Sequence, residues 1–206
     1  MEIGICYVIG AGEGFDFTTP ILTNDYVIVA DGGYKIAKEH NIPINLIVGD
    51  FDSLGFVPKE ENVIILPKEK NDTDMLKALK LGLEKGYKDF VIMGGCGGRL
   101  SHTIANIQCL KFLASKGAKG TIIGNQEIIT LLDSNSLDFA EDKKGLISIF
   151  ALGDIALGVT LKGLKYPLDK FDITDSYPIG ISNEFTGNIS QISVRKGQLL
   201  IIINLY

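Results

Sequence analysis

The sequence predicts an α/β N-terminal domain with a largely parallel sheet, followed by a small all-β, sandwich-like C-terminal domain. Three observations carry that expectation. Over the first two thirds of the 206 residues, short β-branched runs alternate with segments of helical period, the pattern of strands joined by crossover helices. After about Asp133 no segment keeps a helical period, and short apolar runs are separated by Gly, Pro, Asn and Asp turns. The composition, 46% hydrophobic and 22% charged, supplies a core and excludes intrinsic disorder. The domains accordingly span 1–133 and 134–206. A β unit as small as the second buries a modest core and is expected to lean on the first domain or on a partner chain.

In chain order, strands are expected at 3–9, 26–30, 46–48, 63–66, 90–93, 121–123 and 128–132. A short helix covers 34–40 before the turn around Asn41 and Pro43. Asp72 or Thr73 can cap the next helix, whose Leu76, Leu79 and Leu83 recur as one buried stripe. A third helix runs over 102–116 with Ile104, Ile107, Leu110 and Ala114 on one face, and Gly117 ends it. In the second domain the strands fall at 146–150, 159–161, 189–194 and 199–203.

Charge and composition remove several function classes. A net charge of −5 and a pI near 5.1 argue against nucleic acid as a partner, because phosphate backbones require clustered Lys and Arg. The three cysteines (Cys6, Cys96, Cys109) form no CxxC pair, and only His40 and His102 accompany them, so a structural zinc site is not expected. Any metal is then held by oxygen. Apolar runs such as 199–203 fall far short of the roughly 18 residues of a membrane-spanning helix. No basic start with a following apolar stretch and small-residue cleavage site is seen, so the expected location is the cytoplasm.

Four segments place acids or glycines just after a strand or at a helix start, where open α/β sheets bind ligands. They are Ala30-Asp31-Gly32-Gly33, Val48-Gly49-Asp50-Phe51-Asp52-Ser53, Asn71-Asp72-Thr73-Asp74 and Gly94-Gly95-Cys96-Gly97-Gly98-Arg99. In extended backbone the side chains of Asp50 and Asp52 share a side while Phe51 points into the core. Two converging carboxylates repel unless a cation lies between them, and Mg²⁺ suits such a site because it takes one or two carboxylates and completes its shell with water and phosphate. Turn-forming aspartates are common, but Asp31 and Asp74 at neighbouring element ends strengthen the metal reading. The glycines after 90–93 let backbone N–H groups approach an anion, and the positive end of the following helix faces the same way. Arg99, one of two arginines in the chain, can grip a phosphate there. Gly10-Ala11-Gly12-Glu13-Gly14 is a poor match to the dinucleotide fingerprint and either faces a nucleotide or is a plain loop. His102 is an acid, a base or a helix-capping residue. The residues alone thus describe a Mg²⁺-dependent enzyme handling a phosphorylated ligand, with a nucleotide as first choice and the acceptor open.

Taken in order, these segments resemble the thiamine pyrophosphokinase (thiamine diphosphokinase) family. The resemblance rests on Asp31-Gly32-Gly33, on Pro43 to Ser53 with its Gly-Asp-Phe-Asp-Ser string, on Thr73-Asp74, and on Gly97-Gly98-Arg99-Leu100 followed by His102 and Asn106. In the β unit, Gly163 to Leu168 and Ser182-Asn183-Glu184 look like that family's thiamine-side motifs. The resemblance implies an α/β domain followed by a β-sandwich, and transfer of the diphosphate of ATP to the hydroxyethyl oxygen of thiamine with release of AMP. It implies a homodimer with the thiamine site at the subunit interface. Asp50, Asp52 and Asp74 would hold Mg²⁺ and act in catalysis together with Arg99, with Asp74 or Asp52 taking the hydroxyl proton. Asp31, Gly32, Gly33, Gly97, Gly98, Arg99, His102 and Asn125 are assigned to the nucleotide. Tyr166 would stack on the thiazolium cation, and Ser182, Asn183 and Thr73 would contact the same substrate. A diphosphokinase acting on another heterocyclic alcohol, such as a hydroxymethylpterin, and a non-catalytic binder of thiamine diphosphate or nucleotide are the alternatives.

Two positions depart from the family's pattern: Ser101 stands where the family usually carries Asp, and Asn71 where it often carries an acid. The acids that remain still cluster in the motif order, so they are expected to suffice. Turnover of Ser101→Asp is therefore expected to stay within about tenfold of the parent, roughly 1.4 kcal/mol in barrier. A gain of several orders of magnitude would show that the natural chain is catalytically impaired.

Overall fold

The computed structural model describes residues 3–12, 20–69 and 71–205. The chain divides into two compact units, Met1–Asn125 and Gln126–Tyr206. In the first, strands β1 (Ile5–Ile9), β2 (Tyr26–Ala30), β3 (Leu46–Gly49), β4 (Val63–Ile65), β5 (Asp89–Met93) and β6 (Lys119–Gly124) alternate with helices α1 (Gly33–Glu39), α2 (Asp74–Glu84) and α3 (Leu100–Ser115). The strands lie in the order β6-β5-β1-β2-β3-β4, and every pair among them is parallel. Their sequences are unbroken apolar runs rather than alternating ones because both faces are covered: Val27, Ile28 and Val29 are all fully buried. The order reverses at β1, with β2, β3 and β4 added on one side and β5 and β6 on the other. That reversal opens a crevice beyond the carboxyl ends of β1 and β5.

Thr73 is the cap of α2, its hydroxyl accepting the Leu76 N–H at 3.1 Å. Gly82 on that helix sits where a Cβ would come within 2.6 Å of the Phe90 ring and 2.8 Å of Cys6 Sγ, so the glycine sets how closely the helix lies on the sheet. Helix α3 presents Asn106, Cys109, Leu110 and Leu113 to the interior. The expected apolar face is rotated relative to this: Ile104 is 50% exposed, and the polar Asn106 goes in because its amide donates to the Gly95 carbonyl at 2.6 Å. Gly117, at φ +64°, closes the helix as expected.

The second unit is all β and antiparallel. Its strands are β7 (Glu127–Asp133), β8 (Ser136–Phe139), β9 (Leu146–Ala151), β10 (Ile155–Lys162), β11 (Leu168–Thr174), β12 (Asn183–Glu184), β13 (Ser190–Ser193) and β14 (Gln198–Asn204). They form β12-β9-β14-β7 and a separate four-stranded sheet β11-β10-β13-β8. The core between them contains Ile147, Ile149, Val159, Leu161, Ile173, Ile192, Leu199 and Ile201. β7 pairs with β14 along its whole length, which is why it belongs to this unit although the sequence texture groups it with the first. β8, β11 and β12 carry no apolar run and were not expected; their pairing partners hold them in the sheets.

Gly82→Ala tests the helix–sheet contact. Alanine is the better helix former by about 1 kcal/mol, yet overpacking against Phe90 and Cys6 typically costs about 1–3 kcal/mol. A net loss of stability in urea unfolding is the expected outcome; a gain would mean that the ring yields freely.

Candidate active site

A cleft of about 410 Å³ occupies the switch point of the first unit. Its walls are the loop after β1 (Gly10, Ala11, Gly12), the end of β2 with Asp31 and Gly32, Ser53, the start of α2 (Thr73, Asp74, Met75), and the run from Gly94 into α3. The two glycine loops touch backbone to backbone: Gly10 N–H donates to Met93 O at 2.8 Å and Gly12 N–H to Gly94 O at 2.9 Å. A Cβ on Gly12 would lie 2.2 Å from Cys96 O, and one on Gly94, at φ +63°, 2.5 Å from Gly10 O. Only glycine fits at either position. Of the G-x-G-x-G run, Gly10 to Gly12 line the cleft, whereas Glu13 and Gly14 lie outside the described residues.

Three carboxylates meet at one edge. Asp31, Asp50 and Asp74, all half-buried, each offer an oxygen atom within 4.8 Å of the others. Asp31 is fixed in the left-handed region (φ +43°), with its N–H on Val48 O at 2.9 Å and its Oδ2 accepting from Ser53 Oγ at 2.6 Å. Gly49 makes room for it, since a Cβ there would stand 2.9 Å from the Asp31 Cα. Asp31 Oδ1 is buried with no hydrogen-bond partner. Convergent carboxylate oxygens, one of them lacking a donor, are the donor set of a hard divalent cation.

Asp52 is not part of this cluster. Phe51 is buried as expected but takes a left-handed conformation (φ +59°), so the extended alternation that would align Asp50 with Asp52 does not exist. The chain turns instead: Asp52 N–H donates to Asp50 Oδ1 at 3.3 Å, and the Asp52 carboxylate points outward to Lys68 Nζ at 2.8 Å. Hydrogen bonding to Asp52, with the added field of Asp50, raises the Lys68 pKa. Lys68 stands in the run Lys68-Glu69-Lys70, and nothing in that run marks it as a neighbour of the acids.

The opposite wall is electropositive. α3 has no side-chain cap at Arg99 and no acid in its first turn, so its positive end is not offset locally. Gly98, Arg99, His102, Thr103 and Asn106 line the cleft beside it, and Ser101 is exposed in the same turn. Three sequence-assigned nucleotide residues are not in the lining. Gly33 packs against β1, where a Cβ would meet Ile9 O at 2.2 Å; Gly97 (φ +85°) makes the turn; Asn125 is exposed past the end of β6.

In the second unit, Tyr166, Ser182 and Asn183 come together. Asn183 is 4% exposed, and its side chain is consumed internally: Oδ1 accepts the Tyr166 N–H at 3.0 Å and the Glu184 N–H at 2.9 Å, while Nδ2 donates to Tyr166 O at 2.7 Å. The amide therefore clamps the backbone of Tyr166, a residue that is 59% exposed. Lys165 Nζ bonds Glu184 at 2.7 Å and lies 5.7 Å from the Tyr166 ring centroid. Ser182, in a left-handed conformation (φ +56°), donates its N–H to Ser148 Oγ at 3.0 Å. A sequence cannot display this clamp, because the two strings are separated by thirteen residues of unrelated texture. Asn183→Ala is expected to destabilise the chain by about 1–3 kcal/mol, the penalty of orphaned buried backbone groups, and to speed hydrogen exchange at the Tyr166 amide. Asn183→Asp retains the acceptor, so the same amide should keep most of its protection; equal loss in both variants would overturn the clamp.

The family model described as "Thiamin pyrophosphokinase, catalytic domain" matches residues 18–123, and "Thiamin pyrophosphokinase, vitamin B1 binding domain" matches 134–199. The chain is 32% identical over 170 residues to a Bacillus subtilis protein named thiamine pyrophosphokinase, covering 78% of each. The crystal structure of thiamine pyrophosphokinase from Bacillus subtilis superposes with a TM-score of 0.84 at 27% identity, over 98% of this chain and 99% of that one. A thiamin pyrophosphokinase family protein from Enterococcus faecalis gives 0.83 at 28% identity, over the same shares. The chain belongs to the thiamin pyrophosphokinase family.

Proposed function

We propose that the chain transfers the diphosphate of ATP to the hydroxyethyl oxygen of thiamine, giving thiamine diphosphate and AMP, with Mg²⁺ held by Asp31, Asp50 and Asp74. The observation that carries the residue assignment is the meeting of those three carboxylates at the rim of a cleft whose other wall is a glycine loop and an uncapped helix end. Membership of the family supports the reaction, and matches to both the catalytic and the vitamin-binding parts favour thiamine over a pterin acceptor or a non-catalytic role.

When bound, Mg²⁺ neutralises charge on the phosphate chain. The residues of this chain do the rest. Backbone N–H groups of the Gly94–Arg99 segment and the positive end of α3 receive the transferred phosphates, and Arg99 adds a full charge to them. Thiamine's hydroxyl oxygen forms a bond to the β-phosphorus as the bond from that phosphorus to the bridging oxygen of AMP breaks. The hydroxyl proton leaves to a carboxylate. Asp74, which lines the cleft, is the better acceptor than Asp52, which is paired with Lys68. Diphosphoryl transfer asks mainly for positioning and charge neutralisation, and these residues supply both. Asp31 thus replaces Asp52 in the metal set inferred from sequence.

On the acceptor side, the exposed Tyr166 ring offers a π face to the thiazolium cation, steadied by Asn183. The protein is inferred to act as a homodimer: Tyr177 (63%), Ile179 (39%) and Ile181 (57%) lie exposed beside Ser182-Asn183, and such apolar surface favours a partner. Among the described residues no helix is long and apolar enough to cross a membrane, and the buried cysteines form no disulfide. Burial pushes the Cys6 thiol up to about 12 and that of Cys109 to about 11. Unreactive, unpaired-by-disulfide thiols fit the proposed cytoplasmic location.

Asp50→Asn and Asp52→Asn separate the two metal sets. With ATP, Mg²⁺ and thiamine supplied, thiamine-dependent AMP formation is expected to fall by at least about 100-fold in Asp50→Asn, about 2.7 kcal/mol, and by less than about tenfold in Asp52→Asn. Equal losses would return Asp52 to the metal set. Absence of coupled AMP and thiamine diphosphate in the parent chain would overturn the reaction itself.

A further inference from the structure

The solvent face of the sheet β11-β10-β13-β8 carries a groove of about 610 Å³ that the chemistry above does not use. Its lining includes the hydroxyl-bearing Ser136, Thr160 and Ser193 together with Lys170, Arg195 and Asp172. The groove belongs wholly to the second unit.

Two irregularities in the β10–β11 pair build it. From Ala156 to Val159 the strand β10 takes three steps while β11 takes two, from Ile173 to Phe171. From Val159 to Leu161 the count is reversed, with β11 taking three steps, Phe171 to Leu168. The two bulges offset one another, so the overall register gains nothing from them. Each places a left-handed residue at the groove: Gly158 (φ +64°) in one strand and Lys170 (φ +50°) in the other. Bulges re-aim side chains, and a long non-glycine side chain in this backbone region is uncommon and strained.

Both irregularities serve the two cations. At Gly158 a Cβ would stand 3.0 Å from Arg195 Cβ and 3.1 Å from Arg195 Nε, so the glycine lets the arginine lie across the strand. The Gly158 N–H is satisfied by Asp172 Oδ1 at 2.7 Å. The Lys170 N–H is satisfied by Thr160 Oγ1 at 3.2 Å, which leaves the threonine proton to donate. Among the described residues neither the Lys170 ammonium nor the Arg195 guanidinium has an ion-pair partner. Arg195 is one of only two arginines in the chain, and the other lines the cleft of the first unit.

From this we infer that the groove is a second, non-catalytic anion site for a terminal phosphate group, bound between Lys170 and Arg195 with the three hydroxyls as neutral donors. Two cations against the single carboxylate of Asp172 leave one net positive charge, which suits a compact oxyanion at millimolar affinity and not an extended polyanion. The inference rests on the second unit alone and does not depend on the assignment of the cleft.

Site-resolved NMR of the full chain, with inorganic phosphate and then AMP as probes, tests it. The amides of Gly158, Lys170 and Arg195 are expected to shift saturably, with midpoints in the millimolar range. Lys170→Gly keeps the left-handed backbone while removing the cation, and Arg195→Gln removes the other; each should weaken the midpoint at least fivefold without moving shifts in the cleft of the first unit. AMP binding tenfold tighter than phosphate would identify the source as a nucleotide, and equal midpoints would identify it as the free phosphate group. Shifts confined to the cleft, shifts that rise without saturating, or midpoints unchanged in both variants would overturn the site.

Discussion

The loops after β1 and β5 meet with no side chain between them, and the rest of the first unit is arranged around that contact. Gly10 and Gly12 donate to Met93 and Gly94, and a methyl group at either Gly12 or Gly94 would drive into a carbonyl oxygen. Because the two loops are locked together at the point where strand order reverses, the next elements have little choice of position. Asp31 follows β2, the adjacent strand, and the first turn of α3 follows the glycines after β5. A negative rim and a positive wall are thereby set facing each other by backbone packing. The side chains that carry charge then need only short reaches, which keeps their conformational entropy loss small.

The negative rim is a cluster of like charges. Three half-buried carboxylates within 4.8 Å repel one another, and Asp31 Oδ1 has no donor of its own. Ser53 satisfies one Asp31 oxygen, and the Asp52 N–H donates to one Asp50 oxygen. On the proposed reading, a divalent cation would relieve that repulsion and supply the missing partner in one step. Asp52 with Lys68 adds no net charge, and as an exposed pair it contributes little to stability.

Much of this was legible in the sequence, and the misses have definite causes. The parallel sheet was readable from buried β-branched runs, the start of α2 from the capping pair Asp72 and Thr73, and the cleft from acids and glycines placed after strands. Asp52 was grouped with Asp50 on the strength of alternating side chains. One residue, Phe51, breaks the alternation by adopting positive φ, and apolar side chains give no warning of that in a sequence. The face of α3 was misjudged because Ile104 looks like core and Asn106 does not, whereas a carbonyl at Gly95 that needs a donor reverses the order. In the second unit the strands β8 and β11 are polar enough to read as loops. Their place is decided by partners remote in sequence, which propensity cannot register.

Ser101 shows how the two walls trade against each other. A carboxylate in the first turn of α3 would stabilise the helix by about 0.3–1 kcal/mol through its dipole. The same charge would offset the positive end of that helix. With serine, the helix forgoes that stabilisation and has no acid in its first turn to offset its N-terminus. On the proposed reading, a nucleotide brings its own anionic oxygens to the cation, so an acid in this turn is not required. On the proposed reading, the electrostatic balance of the cleft is completed only when phosphate and cation are present together, which would favour binding of the metal–nucleotide pair over either component alone.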